Sequence, residues 1–170
     1  MTNDTTLKEA ARYFLRSYRK HCTHAVTLTM KQTVWVRNAK GRSCIKLTED
    51  RAHRTLRHAI NRLNRAFWRN AATRKGQTVL VLPFLEGKKY GDRLHYHLQI
   101  GNLPAGTTTG AFRQALTQAW KNTEFGDEQM DVQALTGTHW LNYITKEIGA
   151  KDTDCVDWDN VRIPKHLLQD

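Results

Sequence analysis

The segment RLHYHLQI, residues 93–100, carries side chains whose types and spacing suit metal chemistry. Alternate residues of a β-strand share a face, so His95, His97 and Gln99 are predicted to point one way while the apolar residues between them enter a core. Two imidazoles at this spacing can bind one metal ion, and Glu86 can add a carboxylate from the preceding strand, across a turn. Such a set leaves coordination positions open for water or substrate. The alternative is a pair of half-exposed histidines that binds nothing.

A second reactive group is predicted in the segment WLNYITKEIG, residues 140–149. Tyr143 and Lys146 are three residues apart, so they share a face if this segment is a helix. A tyrosine hydroxyl has an ordinary pKa of about 10 and is a weak nucleophile by itself. Beside a metal-polarised phosphate, with a lysine to offset developing charge, it can attack phosphorus. The alternative is a tyrosine at the edge of a helix–sheet interface.

The net charge of +11 over 170 residues is unevenly distributed along the chain. Residues 1–80 contain 18 Lys and Arg against 4 Asp and Glu, whereas residues 81–170 contain 9 against 12. A strongly basic half indicates a surface for a polyanion, and nucleic acid is the first such partner to consider. The alternative is a basic protein whose charge serves solubility alone.

The predicted helix over residues 48–70 concentrates this charge on one face. Thr48 is the expected N-cap, and the apolar residues of the helix fall on a different sector from the basic ones. We expect the basic face to bind phosphates, the alternative being an ordinary solvated face. The arginines predicted to contact DNA are Arg51, Arg54, Arg62, Arg65 and Arg69.

Composition and cysteine placement argue against several other classes of protein. With 39% hydrophobic and 25% charged residues, the chain is typical of a globular protein. No run approaches the roughly 18 apolar residues of a membrane span, and charges interrupt the N-terminal segment, so we expect neither a membrane anchor nor a secretory signal. Three widely spaced cysteines form no disulfide framework and fit a reducing compartment.

The order of predicted elements indicates an α+β fold. After an N-terminal helix it reads βαββαβ and then a further helix, and the βαββαβ core is the split βαβ pattern of an antiparallel sheet with helices packed on it. Pro83 argues that its strand lies at an edge or contains a bulge. The predicted units are an N-terminal basic helix at 1–23, a central domain at 24–150 and a tail at 151–170. The predicted elements are helix 5–20, strand or hairpin 24–37, helix 48–70, strands 78–86 and 94–100, helix 109–121, strand 129–135 and helix 138–148.

Taken together, Glu86, the His95-Tyr96-His97 triplet and the later Tyr143-Ile144-Thr145-Lys146 resemble the HUH endonuclease superfamily. In that family two histidines flank a hydrophobic residue on a strand, and a later helix carries a nucleophilic tyrosine. The single tyrosine is most similar to rolling-circle replication initiators, the Rep proteins. The resemblance covers residues 24–150, with a weak match to the family's first motif at 25–29. The sequence contains no phosphate-binding P-loop and no third histidine near the His95/His97 pair, features that mark other branches.

The resemblance implies an HUH/RRM-like fold, which is an antiparallel sheet of about five strands with flanking helices, and a complete reaction. Glu86, His95 and His97 would bind Mg²⁺ or Mn²⁺, Tyr143 would attack a phosphodiester of single-stranded DNA, and Lys146 would offset charge. The products are a 5′-phosphotyrosine and a free 3′-hydroxyl that initiates rolling-circle replication. Implied partners are an origin or hairpin in single-stranded DNA and a separate host helicase and polymerase. The implied compartment is the cytoplasm of a bacterium, or the nucleus of a eukaryotic host, without membrane association.

Three alternatives remain open from sequence. The same chemistry serves transposases and relaxases. A non-catalytic nucleic-acid-binding module of RRM-like topology is the second, although an aromatic RNP1-type segment is lacking. A zinc hydrolase with two histidines and a glutamate is the third, although no HExxH string occurs. Base stacking could use any of five tryptophans, among which the sequence does not choose: Trp35, Trp68, Trp120, Trp140 and Trp158.

Overall fold

The computed structural model describes residues 2–39, 41–87, 93–135 and 155–168, which contain both helices and strands. Two short 3₁₀ turns, Trp158–Asn160 and Lys165–Leu167, follow near the C-terminus. The helices and strands, in chain order, are α1 (Thr2–Arg19), β1 (Cys22–Met30), β2 (Thr33–Asn38), β3 (Gly41–Lys46), α2 (Glu49–Trp68), α3 (Asn70–Arg74), β4 (Leu80–Glu86), β5 (His95–Gly101), α4 (Thr109–Lys121) and β6 (Gly126–Ala134).

The main sheet has four strands in the order β4-β5-β1-β6, and every neighbouring pair is antiparallel. With α2 and α4 as the two helical connections, this is the split βαβ arrangement. The predicted α+β class, with an antiparallel sheet and flanking helices, is therefore confirmed. Within the described part of the chain, the strands β2 and β3 pair with each other alone, and they form a separate two-stranded ribbon between β1 and α2 in sequence. The sequence reading did not separate β3 as a strand.

Local sequence signals account for the helix starts and for the edge of the sheet. The Thr48 side chain accepts a hydrogen bond from the backbone N–H of Arg51 at the start of α2, as predicted for the N-cap. The Thr108 side chain does the same for Ala111 at the start of α4. Pro83 lies in β4, which is an edge strand of the main sheet, as its missing N–H requires.

One face of the main sheet is covered by α2 and α4. Side chains of β1, β5 and β6 interlock there with the apolar sides of both helices, and nearly all are excluded from solvent. This layer is the larger hydrophobic core. Its central members are Val26, Leu28, Leu56, Ile60, Leu63, Tyr96, Leu98, Phe112, Trp120 and Val132.

The opposite face is covered over β4 by α1 and the C-terminal segment. Leu15 of α1 packs there with Leu82, Phe84 and Val156 in a second, smaller core. Val156 and Arg162 each form an antiparallel bridge to β4, so the segment also runs along the outer edge of that strand. This contact satisfies edge groups that would otherwise be open to pairing with another chain. The sequence had given no role to this segment.

A buried polar cluster fastens the same segment to α2 and β5. The Tyr96 hydroxyl donates to Asp157 Oδ2 at 2.7 Å, and Asn160 Nδ2 donates to the same oxygen at 2.6 Å. Asn160 Nδ2 also lies 2.9 Å from the carbonyl oxygen of His53 on α2. Burial first, and the Asp157 carboxylate second, raise the pKa of Tyr96 far above its ordinary value. Tyr96 therefore remains a neutral donor, and its bond holds β5 between the segment and the helix.

Candidate metal centre

The pairing of β4 with β5 brings the three predicted metal ligands together. Glu86 lies directly opposite His95 in the register, and His97 follows two residues later on the same face. Glu86 Oε2 lies 3.6 Å from His95 Nε2 and 3.5 Å from His97 Nε2. One ligand atom from each residue lies within 4.8 Å of the others, the one such cluster of three among the described residues. The predicted convergence of these side chains is confirmed.

Contacts on the far side of each imidazole aim the ring at the centre. His95 Nδ1 lies 2.9 Å from the carbonyl oxygen of Arg93. Because a carbonyl can only accept, Nδ1 carries a proton, so Nε2 is the atom that would present a lone pair to a metal ion. His97 Nδ1 lies 3.1 Å from Thr27 Oγ1 on β1, a contact that leaves Nε2 as the ring atom directed at the centre. Such outer contacts fix the tautomer and orientation of metal-binding histidines.

The charge state of Glu86 also suits a cation. Interaction with the His95 ring first, and with the His97 ring second, holds the pKa of the Glu86 carboxyl far below its ordinary value in spite of its burial. The side chains of Glu86, His95 and His97 keep 22%, 30% and 18% of their surface exposed, so a solute can reach all three. Two imidazoles and one carboxylate fit a divalent metal ion, with positions left for water or substrate. The donor set does not select one metal.

The structure places two further residues on this face, Thr27 and Gln99, in positions that the sequence did not predict. The sequence indicates Thr27 only as part of the weak motif match at 25–29, whereas in the structure its side chain contacts His97. The signal available in the sequence for this contact was the alternating pattern of that segment. Gln99 shares the face of the histidines but is buried, at 3% exposure, farther along β5 and opposite Ala25.

Tyr143 and Lys146, the predicted catalytic pair, lie outside the described residues.

The arginines predicted to contact DNA lie on the other side of the sheet. Because Tyr96 and Leu98 pack against α2, the alternating His95 and His97 face away from that helix. The basic face of α2 is the outer surface of the helix, since its opposite sector is buried against the sheet. The sheet and the helix therefore stand between this basic face and the metal centre.

Three of those arginines already have partners within the chain. Arg51 Nη1 donates to the carbonyl oxygen of Lys46 at 2.6 Å, which ties the start of α2 to the ribbon. Arg54 Nη2 lies 2.6 Å from Asp50 Oδ2, and both side chains are exposed, so this pair adds little stability. Arg62 Nε donates to His58 Nε2 at 3.1 Å, and Arg65 and Arg69 are exposed.

Among the tryptophans, solvent exposure now distinguishes Trp35. Trp120 is fully buried, and its Nε1 donates to the carbonyl oxygen of Thr29 at 3.0 Å. Trp68 packs against the larger core, and Trp158, 45% exposed, lies 6.0 Å from the ring of Phe14. Trp35, on the ribbon, is 60% exposed. Trp140 lies outside the described residues.

Comparison with known proteins gives this chain no relatives: no family model, no curated protein and no solved structure matches it. Across the described residues, no helix combines the length and the apolar character needed to cross a membrane.

Proposed function

We propose that this protein is a metal-dependent endonuclease and ligase of single-stranded DNA, of the HUH Rep type. The observation that carries the proposal is the open cluster of Glu86, His95 and His97 on one face of an antiparallel sheet. The sheet has the βαββαβ order that the resemblance implies. The net charge of +11 supports a polyanionic substrate.

The chain's own residues would prepare the site before DNA arrives. Arg93 and Thr27 hold the two imidazoles with their Nε2 atoms toward Glu86. Glu86 stays ionised and supplies the negative charge that a cation needs. A bound Mg²⁺ or Mn²⁺ would polarise a non-bridging oxygen of the phosphodiester and neutralise charge developing there.

The bond changes would be confined to one phosphorus atom. The Tyr143 hydroxyl oxygen forms a new bond to phosphorus and releases its proton to solvent. The bond between phosphorus and the 3′ oxygen breaks, and that oxygen takes up a proton to become a free 3′-hydroxyl. Lys146 offsets the charge of the phosphate. The reverse reaction rejoins the ends, because the phosphotyrosine conserves the energy of the original bond.

In a cell, the free 3′-hydroxyl would prime rolling-circle replication. A separate host polymerase would extend it, and a separate helicase would open the duplex, since this sequence contains no P-loop. The proposed reaction implies these partners and a bacterial cytoplasmic or eukaryotic nuclear compartment. Evidence against the reaction would therefore also remove the reason for proposing them.

The test uses the protein with Mn²⁺ and pools of single-stranded oligonucleotides labelled at one end or the other. A 3′-labelled fragment should become covalently attached to the protein on a denaturing gel. A 5′-labelled fragment should be released with an end that a polymerase can extend. Both products should disappear with EDTA, with His97→Ala and with Tyr143→Phe, whereas Tyr13→Phe, at an exposed tyrosine of α1, should leave them unchanged.

Two results would overturn the proposal. One is binding of the pools without any adduct in Mg²⁺ or Mn²⁺, which would favour the non-catalytic binding module. The other is an adduct that persists in Tyr143→Phe, which would place the nucleophile elsewhere in the chain.

A further inference from the structure

The ribbon formed by β2 and β3 has one face that packs on the protein and one that faces solvent. Val34 and Ile45, opposite each other in the register, pack against the larger core. The alternate positions carry side chains that point the other way. Cross-strand neighbours there are Trp35 with Cys44, Arg37 with Arg42, and Thr33 with Lys46, and all six residues are exposed.

Trp35 is held in place although most of its surface is in solvent. The guanidinium of Arg42 lies over its ring, 5.0 Å from the ring centroid, within the range of a cation–π interaction. The side chain nevertheless remains 60% exposed. A large aromatic ring that is oriented but uncovered is suited to stack on another flat ring, and an unpaired nucleic-acid base presents such a ring.

The charge around this tryptophan has one sign. Residues 10–48 contain no Asp or Glu, so the ribbon carries no carboxylate of its own. Within the described residues, Arg37, Arg42 and Lys46 form no salt bridge. The ribbon face therefore offers three cations around one aromatic ring, which is the complement of a phosphate backbone that carries bases.

The base of the ribbon is fastened beside the metal centre. Gln32 Nε2 donates to the carbonyl oxygen of Leu94 at 3.1 Å, and Gln32 Oε1 accepts from the backbone N–H of Leu94 at 3.1 Å. Leu94 directly precedes His95. Trp35 follows Gln32 by three residues, about 10 Å along an extended strand. A strand bound on the ribbon could thus continue toward Glu86, His95 and His97.

The geometry points to the exposed face of the ribbon as a binding site for single-stranded nucleic acid. Trp35 stacks on a base, and Arg37, Arg42 and Lys46 bind the phosphates on either side. A duplex is disfavoured because its bases are already stacked, and a lipid surface is disfavoured because Trp35 stands among polar and charged neighbours. The inference rests on the proposed function for its substrate class and adds where that substrate is held.

The first test measures binding in EDTA, so that no cleavage contributes. Fluorescence anisotropy of a labelled oligothymidine reports affinity for the full chain. Trp35→Ala should weaken binding about tenfold, as expected for the loss of one stacked base. Trp35→Phe should retain most of the affinity because it keeps a flat ring. Tyr13→Ala, which removes an even more exposed aromatic ring from α1, is the control and should leave the affinity unchanged.

The second test removes charge. Arg37→Ala/Arg42→Ala should flatten the log–log dependence of affinity on salt by about 0.7 for each lost phosphate contact, whereas Lys121→Ala/Lys165→Ala removes the same charge from other surfaces and should not. Unchanged affinity in Trp35→Ala together with an unchanged slope in the arginine variant would overturn the inference. Equal losses of affinity for duplex and single-stranded DNA would also overturn it. So would variants that bind vesicles containing phosphatidylserine less tightly but bind oligothymidine as the wild type does.

These outcomes separate the two proposals. If the ribbon variants lose binding in EDTA while the wild-type protein forms no adduct with Mn²⁺, the ribbon site is supported and the proposed reaction is overturned. If adduct formation persists in Trp35→Ala, with unchanged affinity there and an unchanged salt slope in the arginine variant, the proposed reaction is retained and the ribbon site is overturned.

Discussion

The two faces of the main sheet differ in what covers them and in what they carry. On the face toward α2 and α4, β5 contributes Tyr96 and Leu98 to a continuous core. On the other face the same strand presents His95 and His97, which remain partly exposed beside Glu86. Alternate residues of β5 therefore have different roles: Tyr96 and Leu98 pack in the core, and His95 and His97 are the candidate metal ligands. Substitutions on the two faces should therefore separate stability from function.

The largest effect is expected on the helix-covered face. Leu98 is 1% exposed, and Leu98→Ala should lower the free energy of unfolding by about 2–5 kcal/mol, because a buried side chain is replaced by a cavity. Urea denaturation measures the loss. Mn²⁺ affinity of the protein that remains folded should be unchanged. A large loss of affinity would contradict the proposed independence of the two faces.

The metal-side face should respond in the opposite way. His97→Ala and Glu86→Gln each remove a ligand and should weaken Mn²⁺ binding by about 100-fold or more, while lowering the unfolding free energy of the metal-free protein by less than Leu98→Ala does. Isothermal titration calorimetry gives the affinity. If Glu86→Gln binds Mn²⁺ as the wild type does, the third ligand is another residue.

A pH-dependent prediction concerns the hydroxyl of Tyr96. Tyr96→Phe should cost about 1–3 kcal/mol near neutral pH, because Asp157 loses a buried donor. In the unfolded chain a tyrosine ionises at a pKa of about 10, whereas burial and Asp157 keep Tyr96 protonated in the fold. Its contribution is therefore complete below about pH 10 and falls as pH rises further, by up to about 1.4 kcal/mol per pH unit.

The measurement for this prediction is urea denaturation between about pH 8 and pH 11. The wild type should lose stability faster than Tyr96→Phe above about pH 10. Burial also raises the pKa of Cys22 to about 12, and that contribution has the same sign in both proteins and cancels in the comparison. Tyr13→Phe should follow the wild type. Parallel curves for wild type and Tyr96→Phe would show that this hydroxyl does not titrate differently in the two states.

The smallest effect is expected from Thr27, which touches the metal centre only through His97. Thr27→Val keeps the shape of the side chain but removes the oxygen beside His97 Nδ1. Mn²⁺ affinity should fall about tenfold, the lower end of the range for residues that orient ligands. Calorimetry on Thr29→Val, one alternate position along β1, provides the control. Equal losses in both variants would point to a general effect of polarity on this face.

The sequence was sufficient where the physics is local. The alternation of His95 and His97, with Glu86 one strand earlier, needs only the two-residue period of a strand and an antiparallel pairing. The N-cap at Thr48 and the edge position of Pro83 follow from hydrogen bonds that single residues make or lack.

Other features depend on contacts that no local pattern encodes. Thr27 meets His97 because β1 pairs with β5, and the sequence does not state that pairing. Helical periodicity groups the arginines of α2 on one face, but it does not say on which face of the sheet the helix packs. Val156 pairs with β4 and Asp157 forms a hydrogen bond with Tyr96 of β5 through long-range packing that composition could not reveal. Trp35 could be chosen over Trp120 only after burial was known.

Glu86 and His95 face each other across two strands although they are nine residues apart in sequence. An ion bound by both would act as a removable cross-link at the end of the β4–β5 pair. Because opening of that pair would release the ion, a concentration of about 100 times Kd would disfavour the opening by about 2.7 kcal/mol. Amide hydrogen exchange in β4 and β5 would then slow with added metal, while exchange in the ribbon would not. The local stability of this sheet edge would become a reporter of metal occupancy.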